Sequence, residues 1–173
     1  LVSSRADLST LAHTFMQAVV DACDEACMLS VYVPRTRSAM ITKVIYGSHP
    51  LRYEAVLYQP SSLVWGATGR GILAFLPEAV RREIIALEGP SPTDPRKVVQ
   101  PAQLERELAR VRRQQVALTR GQKIPGAVGM ASPVFQPLGV AAALCITVPA
   151  TRFQPSMQER LARLLRAQAE AFS

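Results

Sequence analysis

The chain has 173 residues, 49% of them hydrophobic and 19% charged, with a net charge of +7. That length supports one domain with its own core, and 9 glycines and 13 prolines, scattered along it, exclude a fibrous or low-complexity chain. The longest clean apolar run, Val140 to Ile146, falls far short of the roughly 18–20 residues that cross a bilayer, so no membrane partner is expected.

Leu1 to Arg5 leads straight into an amphipathic pattern and does not read as a signal peptide. A first helix is expected from about Asp7 to Ala26, with Asp7 as N-cap and Leu8, Leu11, Phe15 and Val19 on one stripe. Met28 to Val33 and Ala39 to Tyr46 read as strands around a Pro34–Ser38 turn, and Leu51 to Tyr58 as a third. A turn at Gln59 to Ser62 follows. Helices are expected at Gly66–Phe75, at Glu78–Leu87 behind Pro77, and at Pro101–Ala117. Glu88 to Gln100, with three prolines, is a loop. Gly126–Phe135 and Val140–Val148 form a hairpin around Gln136–Gly139. A last helix starts at Ser156, with Ser156 and Glu159 as a capping box and Leu161, Leu164, Leu165 and Phe172 on its apolar face. Short strand–turn–strand links give an α+β fold, an antiparallel sheet with helices on one or both faces.

Catalytic patterns are sparse. HExxH, CxxC and GxSxG are all missing from the sequence. Cys23 and Cys27, four apart on the first helix, read as packing residues, because a metal site needs more ligands. Three cysteines in apolar settings point to reduced thiols and a cytoplasmic location. Neither cofactor nor metal is expected. Cys145 lacks a sequence-level base, yet a small enzyme using it as nucleophile remains an alternative.

Charge offers another alternative. Arg81 to Lys123 holds ten basic and five acidic residues, about +5 of the +7. A basic segment can bind nucleic acid. No aromatic residue is interleaved there, so a stacking platform is missing and a solvated helix face is the simpler account of the charge.

Gly66–Ala67–Thr68–Gly69–Arg70–Gly71 is the most informative local feature. It is neither a P-loop nor a dinucleotide fingerprint. Each glycine costs about 1 kcal/mol inside a helix, so three together need a reason. Close backbone approach is one, and anion access to a helix start is the other.

Three blocks carry a resemblance. SSLVWGATGRGILAFLP (Ser61 to Pro77), LERELARVRRQQVAL (Leu104 to Leu118) and GAVGMASPVFQPLGVAAALCITVPATRF (Gly126 to Phe153) resemble, in order and spacing, segments of IclR-family transcriptional regulators. The likeness covers the chain from about Leu8 to Phe172 and concerns only that family's C-terminal effector-binding domain. It implies a GAF-like fold and a small-molecule effector, often a carboxylate. It also implies a homodimer or tetramer, with DNA bound through an N-terminal winged helix-turn-helix that this chain does not include.

Carried over by position, the resemblance implies contact from Ala67 and Thr68 at the helix start. From the strands it implies Gly129, Cys145 and Thr147, with Thr119, Tyr53 and Ser61 at the wall and rim. Several positions depart from the family pattern. Gly66 replaces a hydroxyl residue, Trp65 a small one, and Gln115 a helix-ending Gly. Arg120 and Lys123 stand in a usually acidic stretch. If they face the pocket, they favour an anionic ligand by charge complementarity.

Overall fold

A computed structural model describes residues 2–173, with side chains from residue 8 onward. Its elements are α1 (Val2–Cys23), β1 (Ala26–Val33), β2 (Ser38–Ile45), β3 (Pro60–Ser61), α2 (Ala67–Leu73), α3 (Glu78–Leu87), α4 (Pro101–Gln114), β4 (Ala117–Arg120), β5 (Ala127–Gln136), β6 (Gly139–Pro149) and α5 (Met157–Phe172). The strands form one six-stranded antiparallel sheet, ordered β3-β2-β1-β6-β5-β4. The expected α+β class and antiparallel sheet are therefore present.

Both sheet faces are covered, which explains the long apolar run in β6. Successive strand residues point to opposite faces. Ala142, Leu144, Ile146 and Val148 pack with α1 and α5, in a core that includes Met16, Val19, Leu161 and Leu165. Ala143 and Cys145 belong to a second core with Leu63, Ile72, Leu73, Ile84 and Leu108, beneath α2, α3 and α4. Phe15 and Phe172 stack at 5.1 Å and join α1 to α5.

Several boundaries differ from expectation. Asp7 lies inside α1, not at its cap. Leu11 is 64% exposed, and the buried face runs instead through Ala12, Met16, Val19 and Val20. Cys27 belongs to β1 and not to the first helix, so it and Cys23 do not share a helical face. Residues 51–58 form no strand, although Tyr58 N–H donates to Ile41 C=O at 2.9 Å. The third strand is the short Pro60–Ser61, within the expected turn. Ala117 leaves the helix and opens β4, because Gln115 takes the left-handed conformation (φ 54°) that stops α4. Ser156 caps α5 without a side-chain hydrogen bond, so the capping box with Glu159 does not form.

Candidate functional site

One end of the sheet, under the start of α2, holds a cavity of about 280 Å³. That is near the lower end of the roughly 300–1,000 Å³ usual for small-molecule sites. Thr147 of β6 lines its floor, and Met28 and Ile41 its apolar side. Thr68 of α2 faces it from above. Tyr53, Ala55, Val56 and Ser61 form the rim opposite Lys123 and Ile124.

Four of the eight sequence-derived positions thus line the cavity: Thr68, Thr147, Tyr53 and Ser61. Ser61 Oγ also donates to Ala39 C=O at 3.2 Å, and Tyr53 hydroxyl to Pro125 C=O at 3.2 Å. These bonds tie β3 and the irregular segment before it to β2 and to the 121–126 loop.

Cys145 lies just beneath, 1% exposed. Burial pushes its thiol up to about 12, against the pull of a hydrogen bond from Thr68 and the nearby Lys123 ammonium. Its Sγ donates to Ala143 C=O at 3.6 Å. A thiol so far from ionisation is a poor nucleophile at neutral pH.

Ala67 and Gly129 meet each other and not the cavity. A Cβ on Gly129 would stand 3.3 Å from Ala67 Cβ and 3.6 Å from Thr119 Oγ1. Thr119, Gly129 and Thr147 are cross-strand neighbours in one row of the sheet. Thr119 itself lines a separate groove at the β4 edge. So the expected positions cluster at one end of the sheet, but only half reach the cavity.

The glycines of α2 answer mainly to close packing. A Cβ on Gly69 would stand 2.6 Å from Leu63 Cα, and one on Gly71 3.1 Å from Ala131 Cβ. Gly66 precedes the helix at φ 96°, ψ 156°, a region essentially confined to glycine. This geometry starts α2 directly above Thr147 and Cys145.

Lys123 and Arg120 part company. Lys123 faces the cavity, and its stem packs over Gly66. More than a third of the residue stays in solvent, yet burial of its inner part pulls the ammonium below the usual lysine range. Among the described residues no carboxylate pairs with it. Arg120 instead stacks over Phe153 at 4.9 Å, outside the cavity. Glu54 is the carboxylate at the rim, engaged by Tyr46 hydroxyl at 2.9 Å and Arg52 Nε at 3.2 Å.

The apolar wall of Met28, Ile41, Ala55, Val56 and Ile124 was not foreseen from sequence. Met28 and Ile41 read there only as strand hydrophobics. Residues 53–56 have strand composition but form the irregular rim of the cavity.

Part of the basic segment is taken up by internal bonds. Arg81 is 9% exposed, and its Nε donates to Glu105 at 2.9 Å. Arg112 donates to Ala74 C=O at 3.0 Å. Among the described residues no group of three or more His, Cys, Asp or Glu could hold a metal, and no helix is long and apolar enough to cross a membrane.

Known proteins carry the same sequence pattern and fold. The sequence profile described as "Bacterial transcriptional regulator IclR C-terminal" matches residues 1–173. The probable transcriptional regulator SauR of Cupriavidus necator is 28% identical over 151 residues, covering 81% of this chain and 55% of SauR. The chain therefore spans about half the length of that curated relative. The crystal structure of Thermotoga maritima IclR superposes with a TM-score of 0.87 at 22% identity, covering 95% of this chain and 66% of that one. A double mutant of the inducer-binding domain of PobR from Acinetobacter, solved with 3-hydroxybenzoic acid, superposes with a TM-score of 0.80 at 20% identity, covering 94% of this chain and 95% of that one. By its sequence and its fold, the chain belongs to the IclR family of bacterial transcriptional regulators, as their C-terminal domain.

Proposed function

We propose that the chain is the effector-sensing domain of a transcriptional regulator, and that its effector is a small carboxylate held in the cavity beneath α2. One observation carries this reading: an unpaired, partly desolvated Lys123 ammonium facing an apolar wall. A cation withdrawn from water gains most from an anionic partner. Thr68, Thr147 and Ser61 offer hydroxyls near the same end. Met28, Ile41 and Val56 suit an apolar body of about single-ring size. A double mutant of the PobR inducer-binding domain, of like fold, was solved with 3-hydroxybenzoic acid, which makes ring carboxylates the first ligands to try.

Effector occupancy would bias α2 and the sheet end between two arrangements, and so bias an attached DNA-binding domain within a homodimer or tetramer. Calorimetric titration of aromatic and aliphatic carboxylates tests the reading. At least one is expected to bind, and Thr68→Trp, which fills the cavity, to abolish its heat. A panel without binders, or binding indifferent to Thr68→Trp, overturns it.

A further inference from the structure

A second concavity, of about 920 Å³, runs along the outer edge of β4 between α4 and α5. β4 ends the sheet order, so among the described residues no strand pairs with that edge. A strand edge left open presents a row of unpaired N–H and C=O groups, a template for another extended chain. The floor is partly apolar, through Val116, Leu118 and Met130. The walls are strongly basic.

Five arginines line the groove: Arg70, Arg106, Arg110, Arg120 and Arg166. Arg70 is neutralised by Glu107, and Arg166 bonds Glu159 at 3.2 Å. Arg120 is held over Phe153. Arg106 and Arg110, one helical turn apart on α4, are exposed, and among the described residues neither has a carboxylate partner. Two free guanidinium groups thus overlook an open strand edge.

From this juxtaposition we infer that the β4 edge docks an extended acidic segment of a partner protein, which adds as a seventh strand. Its backbone pairs with β4, and its carboxylates meet Arg106 and Arg110. A second copy of this chain fits poorly. Pairing β4 with β4 would bring Arg106, Arg110 and Arg120 of each copy together, and like charges across an interface are costly. A nucleic-acid strand would find phosphate partners there, but no free aromatic face on which to stack its bases. The groove is separate from the cavity under α2, so this inference stands apart from the effector reading.

The test uses a fluorescein-labelled octapeptide alternating glutamate with valine, followed by anisotropy. Binding is expected at low salt, with loss as salt is raised. Arg106→Glu combined with Arg110→Glu, both exposed, should weaken binding by about tenfold or more, and the milder Arg106→Gln with Arg110→Gln by less. A control peptide with proline in place of valine lacks half its N–H donors and should not bind. Failure of the octapeptide to bind, or equal binding by the proline control or by the charge-reversed variant, overturns the inference. So does tighter binding of an oligodeoxythymidine. Sedimentation of both proteins closes the remaining route: an oligomer that falls apart on charge reversal would show the groove to be a contact between copies, and would overturn it too.

Discussion

Lys123 is laid across Gly66: a Cβ at Gly66 would stand 3.2 Å from Lys123 Cβ and 3.4 Å from its Cδ. The glycine ahead of α2 and the cation at the cavity rim are therefore one structural unit. At φ 96° and ψ 156°, a side chain at Gly66 would also strain the backbone. Gly66→Ala is expected to cost about 1–3 kcal/mol of stability. It should also weaken carboxylate binding by displacing Lys123. Urea unfolding and calorimetry check both. A variant as stable as the parent would show that α2 can start without this geometry.

Lys123 is the cation that faces the cavity. Lys123→Gln keeps length and polarity but removes the cation, and is expected to cost a carboxylate ligand about tenfold in affinity. The pH dependence follows from the lowered ammonium. Binding that relies on Lys123 in its charged form is full at neutral pH and is lost as pH rises through that depressed value, before an ordinary lysine would titrate. Lys123→Gln should abolish this alkaline loss of affinity. If the variant keeps it, another group is responsible.

Burial of Cys145 predicts slow chemistry and an alkaline limit. The folded thiol is raised from 9.0 to about 12. The unfolded chain therefore releases this proton first as pH rises. The stability linked to this thiol is full below pH 9 and is lost as pH climbs towards 12. The amount is on the order of 4 kcal/mol at most, from 1.36 kcal/mol per unit. Cys145→Ala should flatten part of the fall in urea stability across that range, while Cys27, also raised by burial, sustains the rest. In the native protein a thiol reagent should label Cys23 ahead of both buried cysteines. Rapid labelling of Cys145 at neutral pH would revive a nucleophilic role.

Ser30 lies in β1 with no solvent exposure, and among the described residues its hydroxyl has no hydrogen-bond partner. It stands opposite Ala143 of β6 and Ile41 of β2. A buried, unpaired hydroxyl is a net cost. Ser30→Ala is expected to stabilise the chain by about 1 kcal/mol, read as a higher urea midpoint at unchanged slope. A lower midpoint would mean the hydroxyl is satisfied in solution.

Much of this architecture is legible in the sequence where periodicity is strong. α3 begins and ends where its pattern does, because Pro77 fixes its start. The β5–β6 hairpin follows from two apolar runs around Gln136–Gly139. α1 misled, because Leu11 shares the spacing of the buried stripe but falls just off the face that α5 and the sheet cover. β4 stayed hidden because Ala117 and Leu118 continue the helical pattern, and only the left-handed turn at Gln115, taken by a non-glycine residue, separates them. The 51–58 segment has strand composition, but Tyr53 and Ala55 serve as a rim held by side-chain bonds, which composition does not encode. Thr68 and Thr147 are reached only through the family resemblance, and both line the cavity. The apolar wall could not, since a cavity-lining Met28 and a core methionine look alike in sequence.

The most direct measurement compares a ring carboxylate with its primary amide, titrated into the chain under identical conditions. The two share shape and differ in charge. A cavity built around Lys123 predicts that the carboxylate binds and that the amide is weaker by about tenfold or more, a gap that closes in Lys123→Gln. Equal affinity for acid and amide, or a gap unchanged by Lys123→Gln, would contradict it.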